Sequence, residues 1–216
     1  MDFAPSPEHE AFRKVVREFA DAEIAPHAAD WDRDHYFPVE TVRKMGDLGL
    51  FGLPFPEEYG GAGSGLATLS IAIEEVSRAD ASMGITLEAA VSLGANPIFS
   101  FGTEEQKQRW LPDLVAGRAL AGFGLTEPDA GSDAGATRTK AELADGEWVI
   151  NGEKAFITNS GTPITSLIIV AARTGPGEIS TIIVPAGTAG LVVDPPYRKL
   201  GWRASDTHGL HFEDCR

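Results

Sequence analysis

The feature that most constrains this chain is a change of hydrophobic period near residue 120. Upstream, apolar residues recur every three or four positions, as one face of a helix requires; downstream they alternate, as one face of a strand requires. One layer cannot serve both patterns. The chain is therefore predicted to be α+β, with an all-α N-terminal domain over residues 1–119 followed by an antiparallel β-sandwich or barrel domain over 120–216.

In the helical half, Ser6 suits an N-cap and Pro7 the first helical position, and Phe12, Val15, Val16, Phe19, Ala20 and Ile24 share one face of a helix over about 7–25. Pro26 is expected to stop it, and Pro38 to open a second helix carrying Val39, Val42, Met45 and Leu48. Residues 54–65, PFPEEYGGAGSG, read as a loop. Leu69, Ala72, Ile73 and Val76 mark a third helix, and 81–99 a fourth that is unusually apolar. Thr103 and Gln106 have capping-box spacing for a short last helix, which Pro112 is expected to interrupt and Gly117 to end.

In the second half, Thr137, Thr139, Ala141 and Leu143 alternate with Arg138, Lys140 and Glu142. Asp145-Gly146 and Asn151-Gly152 are two-residue hairpin signals, so this strand, 147–150 and 153–158 are predicted to form an antiparallel meander. Residues 166–172, 179–185, 190–193 and 208–212 read as further strands. The sequence closes on FEDCR just as a strand finishes, which raises the expectation that the intact protein continues past Arg216.

A formal net charge of −14 opposes binding to a nucleic-acid backbone or an anionic membrane surface. No apolar run approaches the roughly 20 residues of a membrane-spanning helix. The opening MDFAPSPEHE carries acids where a signal peptide would carry its basic start, and the single Cys215 leaves no intramolecular disulfide. These features point to a cytoplasmic protein.

The glycine-rich 54–63 stretch matches neither phosphate-loop nor dinucleotide spacing and follows a helix rather than a strand. His9, His27, His35, His208 and His211 show no metal-site spacing, and no nucleophile elbow is present. Two stretches remain: residues 123–133, FGLTEPDAGSD, and 155–159, AFITN. In the first, Thr126 ends an apolar strand, and Ala130, Gly131 and Ser132 leave room for close backbone approach. In the second, Phe156 and Thr158 fall on one face of a strand. The residues alone leave two readings open, a shelf for a flat heteroaromatic ligand or a plain turn beside a core strand.

Five blocks in order, PEEYGGAG, GTEEQKQRWLPDLVAG, TEPDAGSD, INGEKAFITN and LGWRASDTHGLHFED, together resemble the acyl-CoA dehydrogenase family and span essentially the whole chain. The resemblance implies a helical domain followed by a β-domain, and non-covalently bound FAD. Carried over by position, Phe123, Leu125 and Thr126 would surround the flavin ring with Ser132 nearby, and Ser132 would also help hold the thioester substrate. Phe156, Ile157 and Thr158 match the family's W-I-T stretch; Phe in place of Trp offers less area and no N–H donor. The implied reaction is α,β-dehydrogenation of an acyl-CoA, with electrons passed to an electron-transferring flavoprotein, in a homo-oligomer. The family's catalytic glutamate belongs to a C-terminal helical bundle and is expected beyond Arg216, so no acid of this chain, Glu127 included, takes that role, and this portion is expected to lack activity alone. A flavin oxidase or monooxygenase of the same superfamily stays open, as does a non-catalytic binding or assembly module. Arg203, Ser205, Asp206 and Thr207 fall in the family's R-x-S-D-T stretch, where a turn role is at least as consistent as ligand contact.

Overall fold

A computed structural model describes residues 4–216; Met1 to Phe3, the start of the stretch read above against a signal peptide, lie outside the described residues. The chain divides into two units. One holds the described residues through Ala119 together with Lys199–Ser205, and the other holds Leu120–Arg198 and Asp206–Arg216.

The helical unit opens on α1 (Pro7–Glu23), where the Ser6 hydroxyl accepts from the His9 N–H and the His9 ring accepts from the Ser6 N–H. Val16 and Ala20 of α1 are fully buried where it packs on α4 (Gly65–Ala79), which contributes Leu69, Ala72 and Val76. A carboxylate lies within this helix pair. Glu75, 1% exposed, accepts from Arg13 at 2.8 Å, from two Arg17 nitrogens at 2.8 Å each, and from Arg78 at 3.4 Å. Arg17 foremost, against the opposing pull of burial and with help from Arg13, holds its pKa at about 2.

Three helical boundaries differ from expectation. Pro26 does not leave a gap up to Pro38: Ala28 and Trp31 donate to the carbonyls of Ile24 and His27, and a short α2 (Ala28–Asp34) precedes α3 (Val39–Asp47). The long apolar helix is three pieces, α5 (Ala81–Ala89), a π-helical run Ala90–Ala95, and α6 (Asn96–Phe101) with Pro97 in its first turn. Finally, α7 (Glu104–Val115), started by the Thr103–Gln106 capping box, runs through Pro112. Proline forfeits one hydrogen bond there, while Leu111, Leu114 and Val115 stay buried, and burial wins. Among the described residues no helix is long and apolar enough to cross a membrane.

The second unit is a sheet of seven strands: β1 (Leu120–Gly124), β2 (Lys140–Ala144), β3 (Glu147–Thr158), β4 (Thr165–Gly175), β5 (Glu178–Pro185), β6 (Leu191–Val193) and β7 (Thr207–Cys215). Their order is β1-β4-β2-β3-β7-β6, with β5 also paired to β4. The β2–β3 hairpin is antiparallel, as Asp145-Gly146 predicts, but β1 runs parallel to β4, so the sheet is mixed. The long excursion between β1 and β4 removes the constraint that a tight turn would impose. Asn151-Gly152 is not a turn. β3 continues through it, and the pairing with β7 slips by a bulge between Ile150 and Gly152, where Gly152 has φ 146° and an added Cβ would lie 2.7 Å from Thr139. Long pairing with β7 outweighs the local turn signal. Ala141, Ile150, Ile157, Ile168, Val170, Leu210 and Phe212 form the core of this unit. Leu143, expected on the buried face, is 64% exposed because it lies one pair from the hairpin turn.

Candidate functional site

The two candidate stretches meet. β1 carries Phe123, half-buried and in register with Ile169, and ends at Gly124, two residues before Thr126. Leu125 and Thr126 therefore sit on the loop that leaves the strand, with Leu125 37% exposed and Thr126 half-buried. The Thr126 carbonyl accepts from the Ala155 N–H at 2.9 Å, which joins this loop to β3.

On β3 the regular alternation breaks. Lys154 pairs with Leu210 and Ile157 with His208, so three steps on one strand oppose two on the other. This bulge holds Phe156 at φ 61° and leaves its side chain 64% exposed, against 4% for Ala155 and 2% for Ile157. A phenylalanine in the left-handed region is a strained arrangement that the surrounding pairing must hold in place. Its ring lies 4.9 Å from that of Tyr197, tilted by 33°. The bulge thus presents an aromatic face that an unbroken strand would pack differently. Thr158 is half-buried beside it, paired with Thr207. Ile157 points into the hydrophobic core, so its contribution to any ligand comes through the backbone. Ser132 is exposed on the turn that follows the buried Ala130, and an added Cβ at Gly131 would meet open space.

Beneath these residues lies a charge pair that sequence reasoning passed over. Lys154 and Glu127 have side chains 0% and 4% exposed, with Nζ 2.8 Å from Oε1. Lys154 also donates to the Leu125 carbonyl at 3.1 Å. Glu127 accepts from the backbone N–H groups of Arg138 at 2.7 Å and Thr139 at 2.9 Å, and its own N–H bonds the Ala130 carbonyl. Burial alone would raise the Glu127 pKa; the Lys154 ammonium and these amides outweigh it and hold the carboxyl at about 2. Burial likewise draws Lys154 down, against the pull of Glu127. No local signal marks the pair in the sequence, since the two residues are 27 positions apart.

A second polar cluster fixes the far end of β3. His208 places Nε2 2.6 Å from an Asp206 carboxylate oxygen and Nδ1 2.6 Å from the Asp194 carbonyl, while the other Asp206 oxygen accepts from the Gly161 N–H at 2.8 Å. Burial disfavours charge on this ring, but two acceptors require two N–H donors, and the Asp206 carboxylate leads in raising its pKa. The Asp206 carbonyl also accepts from Asn159, so Asp206 anchors the residues after Thr158. In the other unit, the Arg203 N–H donates to Asp32. The residues present fit a flat aromatic cofactor: exposed Phe156 and Leu125, hydroxyls at Thr126 and Thr158, and backbone held from below.

The family model described as acyl-CoA dehydrogenase, N-terminal domain, matches residues 6–118, and that described as acyl-CoA dehydrogenase, middle domain, matches 122–215. A relative in Bacillus subtilis, called probable acyl-CoA dehydrogenase YngJ, is 50% identical over 221 residues, covering 100% of this chain and 58% of its own length. The structure of butyryl-CoA dehydrogenase from Megasphaera elsdenii superposes with a TM-score of 0.93 at 38% identity, covering 100% of this chain and 58% of that one. An acyl-CoA dehydrogenase from Bacillus anthracis, solved in complex with FAD, gives a TM-score of 0.90 at 38% identity over 98% of this chain and 36% of that one. The chain spans little more than half the length of the curated relatives it matches.

Proposed function

Because the chain belongs to the acyl-CoA dehydrogenase family, we propose that the Leu125–Thr126 loop and the Phe156 bulge form the flavin-facing wall of an FAD-dependent acyl-CoA dehydrogenase. The observation that carries this reading is Phe156 itself, held at φ 61° and 64% exposed beside two half-buried threonines. An exposed aromatic ring on a left-handed backbone, beside two threonine hydroxyls, supports a ligand-facing role for this bulge.

When bound, FAD supplies the two-electron acceptor for the β-hydride of the substrate. Phe156 would pack on one side of the ring, Phe123 and Leu125 would line its edge, and Thr126 and Thr158 would donate or accept at its polar rim. The backbone around Ile157 would add main-chain contacts, and Ser132 would reach the ring and the acyl-CoA thioester. Holding these groups fixed before the substrate arrives is the contribution such a wall makes to rate. Glu127 does not serve as the base: it is 5% exposed, accepts from three donors, and is ionised far below neutral pH. We place the base that removes the α-proton outside residues 1–216. The electron partner would be an electron-transferring flavoprotein, the assembly a homo-oligomer and the location the cytoplasm, in line with the bacterial relatives.

Two measurements test this. The purified 216-residue chain is expected to bind FAD reversibly in equilibrium dialysis; a folded chain that rejects FAD would instead support an assembly module. Anaerobic titration of the FAD-loaded chain with straight-chain acyl-CoAs from butyryl-CoA upward is expected to leave the flavin absorbance unbleached. Bleaching by this chain alone would overturn the placement of the base.

A further inference from the structure

We propose that the buried Lys154–Glu127 pair is the positioning element that couples the two halves of the flavin shelf, a step that rests on the flavin reading above. Lys154 belongs to β3, immediately before the bulge residues Ala155 and Phe156. Its ammonium leaves that strand and binds the other half of the shelf twice, at the Leu125 carbonyl and at Glu127. Glu127 in turn fixes the segment that follows, through the N–H groups of Arg138 and Thr139. The Ala155–Thr126 hydrogen bond runs beside this linkage. One lysine therefore sets the distance between the backbone carrying Leu125 and Thr126 and the backbone carrying Phe156 and Thr158.

A structural role alone does not account for these partners. A buried ion pair is weak evidence of stabilisation, since apolar residues of similar volume often serve as well. A lysine whose donors are divided between a carboxylate and a shelf carbonyl, on a site where ligand affinity depends on sub-ångström placement, fits a constraint on geometry. The lysine is also confined: a Cβ added at Gly124 would lie 3.1 Å from its Cγ. With its side chain 0% exposed, it acts on a ligand through Leu125 rather than by contact.

The test compares the wild-type chain with Lys154→Met, the double variant Lys154→Met/Glu127→Met, and Val184→Ala, a core truncation in β5, a strand that carries none of the shelf residues. FAD affinity is measured by flavin fluorescence, and the resolved fine structure of the bound flavin absorbance band reports a rigid site. Thermal melts without FAD report stability. Lys154→Met is expected to weaken FAD binding at least tenfold, about 1.4 kcal/mol, and to blur the band. The double variant carries no unpaired buried charge but leaves the Arg138 and Thr139 N–H groups without their acceptor, so it is expected to melt lower than wild type, no worse than Lys154→Met, and still to bind weakly. Val184→Ala is expected to melt lower yet bind within about twofold of wild type. If Lys154→Met does not fold, the double variant answers the same question. Wild-type affinity and band shape in the variants lacking Lys154 would overturn the proposal, as would an equal loss of affinity in Val184→Ala. A wild-type chain that binds no FAD would remove the flavin reading itself.

Discussion

Replacing Glu75 by Gln removes one charge and almost no volume from the junction of α1 and α4. In the wild type, that carboxylate accepts hydrogen bonds from Arg13, Arg17 and Arg78 and is 1% exposed. Moving a carboxyl pKa from 4.5 to about 2 corresponds to roughly 3 kcal/mol of preferential stabilisation of the folded state, at about 1.4 kcal/mol for each tenfold change in proton affinity. Arg17 and Arg78 are about half exposed, which screens part of this, so Glu75→Gln is expected to lose about 2 kcal/mol at pH 7. Because the folded pKa lies below the unfolded one, the contribution is complete above about pH 4.5 and is lost as pH falls toward 2. The variant and the wild type should therefore converge in acid. Urea unfolding followed by helical circular dichroism reads this unit directly, since α1 to α7 all lie in it. Measurements at pH 7, 5, 4 and 3 should show the gap closing. A variant within about 0.5 kcal/mol of wild type at pH 7, or a gap that stays constant down to pH 3, would refute the reasoning.

Phe156→Ala is expected to leave the melting temperature nearly unchanged, because the side chain is 64% exposed, while weakening FAD binding about tenfold, the worth of one aromatic contact. Phe156→Trp should tighten binding in the same fluorescence titration. His208 has a pKa raised above its ordinary 6.5, so its contribution to stability is complete below about that pH and is lost as pH rises through the folded value. The groups facing it are the Asp206 carboxylate and the Asp194 carbonyl. Melts between pH 6 and 9 should slope downward for the wild type and lie flatter for His208→Asn; parallel curves would contradict the charged pair.

What the sequence made legible was whatever local pattern decides. The period switch separates α1–α7 from β1–β7, and the Ser6 and Thr103 caps lie where their side chains predict. Long-range pairing was not legible. Asn151-Gly152 looks like a turn in every local respect, yet β7 lies alongside it and keeps the strand running. The parallel β1–β4 pairing has no local signature either. In the candidate site, Phe156 and Thr158 were visible as a pair on one face of a strand, but the bulge that exposes Phe156 at φ 61° depends on register with β7. Lys154 and Glu127 are 27 positions apart in the chain, and each alone reads as an ordinary surface charge.

The π-helical run Ala90–Ala95 has a consequence for how this stretch tolerates change in length. One residue more or fewer in an α-helix turns everything beyond it by about 100°. Here the wide turn has already absorbed such a step, and beyond it α6 buries Ile98 to 2% exposure. A single deletion between Ala90 and Ala95 has an ordinary helix to relax into, whereas one in α5 or α6 does not. This is the place along the apolar half of the helical unit where a lineage could lose a residue while the faces of α6 keep their roles.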